Sequence, residues 1–364
     1  MHRFAAIHKS FSRFFNMPVV VISLLMSLLS APSFAAVILQ YHHVSNDTPK
    51  ITSISPSQFS AHLALLKEKQ YTVIALPELL KKMEAGQDLT NHVAITFDDG
   101  YINLLEHAVP ELERYQYPYT IFVNPDVVDK KVKNFLTWAD LKKLGENGAT
   151  IANHGLHHDS LARIPTGTSV EEWTQMQGQQ ILQAEARIKE QTGQSVRMYA
   201  YPYGEYIPQV QQWLKENNFT AFSQQSGAVA SFTDKTQIPR FPVSYPYDQL
   251  ESFSDKLNTL AFDLTPAQDS DITVVNHGFV KELVMRVKTM DFHPKLLACY
   301  VSGMGKQEVT WLDERTFKVT LDQDLKPGRQ RSNCTAPSIS KPSRYYWYSK
   351  PWFVLKPDGT WFPL

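Results

Sequence analysis

His92-Val93-Ala94-Ile95-Thr96-Phe97-Asp98-Asp99-Gly100-Tyr101 opens as an apolar run and closes on two adjacent carboxylates. The run is too short for a helix and too apolar for a surface loop, so it reads as a strand buried on both faces. Two acids at its mouth are costly to desolvate, and barrel folds gather their chemistry at that end of their strands. Asp residues also serve as turn formers and helix caps, so the pair needs company before it means a site. The company comes some fifty residues later as His154-Gly155-Leu156-His157-His158, after another short apolar run. One carboxylate and two imidazoles offer ligands for a divalent metal, and the second carboxylate is left free as a base. That set points to metal-assisted hydrolysis.

Working outward, short apolar runs alternate with helical patterns from Val37 to about Asn258. Strands are predicted at 37–41, 71–74, 92–97, 119–123, 150–153, 198–201 and 220–223, with a further short one near 238–241. Helices are predicted at 56–70, 77–85, 104–115, 138–146, 171–192 and 207–217. Ser55 and Pro56 form a start signal for the first helix, and Gly193 a stop for the fifth. Such alternation gives parallel strands in an α/β barrel or open sheet. Beyond about Leu264 the rhythm changes to alternating segments such as Thr316–Leu321, punctuated by Lys326-Pro327-Gly328 and Pro357-Asp358-Gly359. We read 264–364 as a small antiparallel β-domain, sandwich-like. Cys299 and Cys334, the two cysteines of the chain, are expected to pair within it. The late cluster Tyr345-Tyr346-Trp347-Tyr348 with Trp352, Phe353, Trp361 and Phe362 is either sandwich core or a glycan-binding face; alternation buries one half.

The N-terminus reads as an export signal over 1–35. Arg3, Lys9 and Arg13 precede a short apolar run, Val19–Leu29, below the ~18 residues needed to span a bilayer. Ser33-Phe34-Ala35 has the small-x-small cleavage pattern. The expectation is a secreted or periplasmic protein with no membrane-spanning segment after cleavage. The chain carries 36 basic and 36 acidic residues. Without Arg3, Lys9 and Arg13 the balance is 33 against 36, which argues against nucleic acid or a polyanion as main partner and fits a neutral polymer better. The oligomeric state is left open.

On the metal, imidazoles four apart fall on one side of a helical turn, so His154 and His158 can converge on one ion. Asp98 and Asp99 would point to opposite sides of a regular strand. At a strand's exit, with Gly100 freeing the backbone, they can aim at neighbouring places, one at metal and one at a proton. His157 is expected to point elsewhere, and Asn153 to serve structure. A third element, Ala200-Tyr201-Pro202-Tyr203-Gly204-Glu205-Tyr206, brackets a rigid turn that can aim a backbone N–H at a developing oxyanion.

Thr-Phe-Asp-Asp-Gly-Tyr, the His-x-x-x-His element and Tyr-Pro-Tyr-Gly, in this order and spacing, resemble the polysaccharide deacetylases of carbohydrate esterase family 4 (NodB homology) over about residues 37–260. Gln40-Tyr41-His42-His43-Val44 resembles the opening of exported members acting on poly-N-acetylglucosamine or similar chains. The resemblance implies a distorted (β/α) barrel of about seven strands over 36–263. It implies Asp98 as general base, Asp99, His154 and His158 as ligands of zinc or another divalent transition metal, and the Tyr203 N–H in the oxyanion hole. The implied reaction is hydrolysis of the N-acetyl group of a GlcNAc unit in a polysaccharide such as poly-N-acetylglucosamine, a chitin-like chain or peptidoglycan. His42 and Tyr203 are candidate substrate contacts, and Tyr201, Tyr203 and Tyr206 together a candidate sugar platform.

Two departures stand out. Where many members have an Arg that touches the base, this chain has Ala200 and Tyr201; Arg240 is either its stand-in from another strand or a surface arginine. Many members use a late His as general acid, and His277 is the late candidate here. Rival readings are a non-catalytic glycan-binding protein of an extracellular matrix and an O-acetyl (xylan-type) esterase.

Overall fold

The computed structural model describes residues 35–267 and 270–364. The expected export signal falls, but for Ala35, outside the described residues. No helix among the described residues is long and apolar enough to cross a membrane.

Seven parallel strands curl into a half-barrel. In sheet order they are Phe241–Pro242, Val37–Tyr41, His92–Asp99, Tyr119–Val123, Thr150–Asn153, Met198–Ala200 and Thr220–Phe222, with the short Thr72–Val73 pairing against His92–Asp99. The segment before Phe241 helps to close the curl. Ile238 bridges to Phe222 at one edge of the sheet, and Phe241 pairs with Leu39 at the other.

The period of two along each strand sorts the side chains. Ile38, Ala94, Phe122, Ala152, Ala200, Phe222 and Ile238 pack with one another and with the helix Leu76–Glu84. Their neighbours Leu39, Ile95, Phe97, Ile121 and Ile151 pack with the helices Pro56–Glu68, Val109–Tyr115 and Trp138–Glu146. Polar residues that continue the first set towards the C-terminal strand ends are Gln40, Asp98 and Arg240, each two or four residues beyond a residue of that set.

Local signals account for the helices. Ser55 accepts the Gln58 N–H and Pro56 takes the first helical position. Thr137 and Asp140 form a reciprocal capping box. Ser169 caps Val170–Thr192, which stops at Gly193 with a left-handed φ of 78°. The predicted helix at 104–115 begins with a π-helical turn, Leu104–Ala108. Two helices, Pro125–Asp129 and Leu250–Leu257, are not among those expected; both are short.

The second sheet has nine strands and is mixed. Most of its ladders are antiparallel, led by Gly328–Pro337 against Tyr345–Val354. Thr259–Ala261 and Val274–Val275 run parallel to Tyr345–Val354, because both reach it from the barrel side by connections rather than by hairpins. Cys299 and Cys334 are bonded and face each other on paired strands. The late aromatic cluster divides in half, though not by strict alternation: Tyr346 and the adjacent pair Trp352 and Phe353 are buried with Phe362, whereas Tyr345, the adjacent pair Trp347 and Tyr348, and Trp361 are half-buried.

Candidate metal and catalytic site

Asp98 and Asp99 end the central strand, and the backbone turns sharply as it leaves them. Asp99 has φ 71° and Gly100 φ 76°. Two successive left-handed residues let adjacent carboxylates aim at neighbouring points, the second residue needing to be Gly. A Cβ on Gly100 would stand 3.1 Å from the Val123 side chain, so the site is closed to larger residues there as well.

His154 and His158 are not on a helical turn. Residues 154–160 form a loop, because polar side chains take the backbone groups that a helix would use. Asn153 Oδ1 accepts the Gly155 N–H, and Asn124 Nδ2 donates to the carbonyls of His154 and Gly155. Gly155 and His158 both have positive φ, 83° and 62°. The loop still delivers both rings: each Nε2 lies 3.3 Å from Asp99 Oδ1. His157 turns away to Asp126. Asn153 also donates to the Ile181 carbonyl and is structural.

One ligand atom from each of Asp99, His154 and His158 lies within 4.8 Å of the others. His154 Nδ1 stands 2.8 Å from the Ala200 carbonyl, which accepts its proton and leaves Nε2 as a lone pair pointing at Asp99. That buried Nε2 has no hydrogen-bond partner. Burial would lower the His154 pKa, but Asp99 and Asp98 outweigh it and raise it. Burial would likewise raise the Asp99 carboxyl, and the approach of His154 and His158 holds it well below the usual range. An orphaned imidazole nitrogen and a carboxylate field that favours positive charge are what a divalent cation needs. The three side chains fit one, with two nitrogens and an oxygen as donors.

Asp98 is built for a different task. It is closed to solvent and accepts three hydrogen bonds: Arg240 Nη1 to Oδ1 at 2.6 Å, Arg240 Nη2 to Oδ2 at 2.8 Å, and Gln40 Nε2 to Oδ2 at 2.7 Å. Burial alone would push its pKa up; Arg240, His154 and His42 reverse that and hold it to about 2. Arg240 is itself fully buried, also donating to the Ser223 carbonyl and Thr96 Oγ1, with its guanidinium over the Phe122 ring. The surface reading of Arg240 is therefore wrong. A usable signal is present in Ile238-Pro239-Arg240-Phe241-Pro242, where Arg240 takes the same strand face as a fully buried Ile238.

His42 Nε2 lies 3.9 Å from Asp98 Oδ2, with 18% of its side chain exposed. Burial pushes its pKa down against the pull of Asp98 and Asp99. His43 turns the other way, stacked on Tyr101 and bonded to Asn103. His277 is exposed in a loop of the second sheet, where the charged neighbour it acts on is Asp324, so it takes no part in this cluster.

The Pro202–Gly204 turn stands on the other side of the imidazoles. Tyr203 has φ 59°, and its ring packs edge-on to His158 at 4.5 Å. Tyr201 and Tyr206 do not join it in a platform. Both are buried, donating to the Thr236 carbonyl and Gln237 Oε1, because the turn points only Tyr203 outward. Glu205 has a role that sequence reasoning does not reveal. It is fully buried and accepts from Ser160, Arg163 and Arg329, so one carboxylate ties the metal-side loop, the Tyr203 turn and the second sheet together.

The family model described as polysaccharide deacetylase matches residues 85–222. YxkH of Bacillus subtilis is 26% identical over 172 residues, which are 46% of this chain and 57% of YxkH. The poly-beta-1,6-N-acetyl-D-glucosamine N-deacetylase of Staphylococcus epidermidis is 24% identical over 229 residues, 58% of this chain and 79% of that protein. Among solved structures, the Streptococcus pyogenes deacetylase PplD superposes with a TM-score of 0.55 at 19% identity, over 61% of this chain and 98% of that one, which speaks for the fold. The half-barrel, the matched segment and the motifs at its strand ends agree: residues 85–222 of this chain match the polysaccharide deacetylase family in sequence, within a fold shared with solved deacetylases.

Proposed function

We propose that this chain is an exported, metal-dependent hydrolase that removes N-acetyl groups from GlcNAc units of a polysaccharide, with poly-N-acetylglucosamine the first polymer to test. The observation that carries this is the division of labour between neighbours: Asp99 faces two imidazoles, while Asp98 is held apart from them by Arg240 and Gln40. The curated relative from Staphylococcus epidermidis points to the polymer.

Asp99, His154 and His158 would hold zinc or a similar divalent ion. Such an ion, when bound, supplies Lewis acidity that lowers the pKa of water and polarises a carbonyl. Asp98 is ionised throughout the neutral range and takes the proton from the attacking water. Arg240 and Gln40 fix the orientation of its carboxylate and keep it from swinging towards the ligands. The departing amine needs a proton, and His42 is the imidazole beside Asp98 outside the ligand set. Tyr203, on its left-handed backbone, borders the acetamide site opposite and offers its N–H to the developing oxyanion. Acetate and a free amine on the sugar result.

The test is acetate release from acetylated β-1,6-linked GlcNAc oligomers by zinc-reconstituted protein, with an O-acetylated xylan oligomer run alongside. Release from the amide supports the reading. Protein that holds metal and releases nothing from the amide ends it.

A further inference from the structure

The strand Gly328–Pro337 of the second sheet turns one face towards the Tyr203 turn. Arg329 pairs in register with Phe353 and Arg331 with Pro351, and these four border a cleft with Tyr203 and Gln225. Arg329 Nε donates to the buried Glu205 at 2.8 Å, and the guanidinium lies 5.1 Å from the Tyr203 ring. That fixes the fork in one orientation. Its two terminal nitrogens have no protein partner among the described residues, and 38% of the side chain is exposed.

We propose that this cleft is a sugar subsite next to the reacting unit, built jointly by the two sheets, with Arg329 as its specificity-determining contact. The proposal rests on the polysaccharide reading of the neighbouring site. The donors of Arg329 call for an oxygen acceptor. A sugar hydroxyl accepts such bonds, and a pyranose ring carries several. Glu205 is shared by Arg329 and Arg163, and Arg331 borders the cleft as well, so an acidic sugar is the necessary control in the test. The half-buried Pro351 supplies apolar backing that a sugar face covers. Position matters too: Tyr203 touches His158 on one side and Arg329 on the other, so a unit bound in the cleft sits one ring away from the candidate metal ligands.

The experiment measures binding of β-1,6-linked GlcNAc oligomers of two to six units by calorimetry, with acetate release followed in parallel. Wild-type affinity is expected to rise with length until the cleft is filled. Arg329→Gln should lose about tenfold on the oligomers long enough to reach it, flattening the length dependence, as one charged hydrogen bond would predict. Arg329→Lys should recover only part, since it lacks the fork. If Arg329→Gln melts early, Arg329→Lys carries the same comparison, since it keeps a cation beside Glu205 and loses the fork. A length dependence unchanged in both variants overturns the proposal, as does tighter binding of an acidic-sugar oligomer than of the neutral one. Length-dependent binding that is lost in the variants, with no acetate released by the wild type, supports the subsite and sinks the deacetylase reading instead.

Discussion

Arg240 grips Asp98 through two parallel hydrogen bonds of 2.6 and 2.8 Å, and neither side chain reaches solvent. Removing the cation strands a buried carboxylate, which costs about 3–5 kcal/mol. Arg240→Ala should therefore unfold at clearly lower denaturant. The folded pKa of Asp98 lies below the ordinary 3.8, at about 2. Its contribution to stability is thus complete above about pH 4 and lost as pH falls towards 2. Without Arg240, burial dominates, the pKa rises, and the acid limb of the pH–rate profile should move upward. A profile that stays in place would remove Arg240 from the tuning of the base.

Asp98→Asn keeps the volume of the site and one oxygen to accept from Gln40 and Arg240 Nη2, but it turns an NH2 towards Arg240 Nη1 and removes the charge of a buried pair, so stability should fall too. Metal content should stay as in the wild type, while acetate release falls by roughly 10²–10⁴-fold, the usual worth of a positioned base. Unchanged turnover would show that another group takes the proton.

His154→Ala deletes a ligand whose orientation is set by the Ala200 carbonyl. Metal affinity, read by elemental analysis after dialysis, should drop by more than the ~10–100-fold that losing an orienting partner costs. A chelator should silence the wild type, and added zinc restore it. Full activity in protein shown to be free of metal would refute the assignment of all three ligands.

Gly204→Ala tests the Tyr203 turn. Gly204 has φ 69°, and a Cβ there would lie 2.8 Å from the Gln224 Cβ. The left-handed conformation alone costs a non-glycine residue about 1–2 kcal/mol, and the contact with Gln224 forces the turn to move. Stability should fall by at least that much, and kcat should fall with it as Tyr203 shifts against His158. A stable variant with unaltered kcat would separate the turn from catalysis.

Cys299 and Cys334 close a loop with a sequence separation of 35. Loop-closure entropy for that length is worth about 3–4 kcal/mol. Paired Cys→Ala substitution, or reduction, should lower the melting temperature of the second sheet by several degrees. No shift would mean that the reduced chain is already constrained there.

Much of the barrel is legible in the sequence because strand and period coincide in it. The strands at Val37–Tyr41 and Tyr119–Val123 carry apolar residues almost throughout, Thr150–Asn153 has an apolar centre, and their ends are marked by Asn, Pro or His. The convergence of Asp99 with His154 and His158 is legible from residue chemistry, whereas the path of the chain between the histidines is not. Spacing of four suggests a helix, but Asn124 and Asn153 bond the loop's backbone instead, and Asn124 lies 30 residues away from His154. Arg240 and Glu205 are hidden for a related reason. Each is defined by partners more than 40 residues distant, Asp98 in one case and Ser160, Arg163 and Arg329 in the other. The mixed character of the second sheet is illegible because parallel pairing at Thr259–Ala261 depends on where the barrel ends, which no local pattern encodes.

The two side chains that clasp Asp98 come from neighbouring strands at one margin of the curled sheet, Gln40 from the first strand in the chain and Arg240 from the segment that closes the curl. Neither belongs to residues 85–222, the stretch shared with the family model. A fragment trimmed to that stretch would keep both imidazoles and Asp99, yet its would-be base would sit bare. Shutting the barrel and arming the chemistry are one and the same event in this chain.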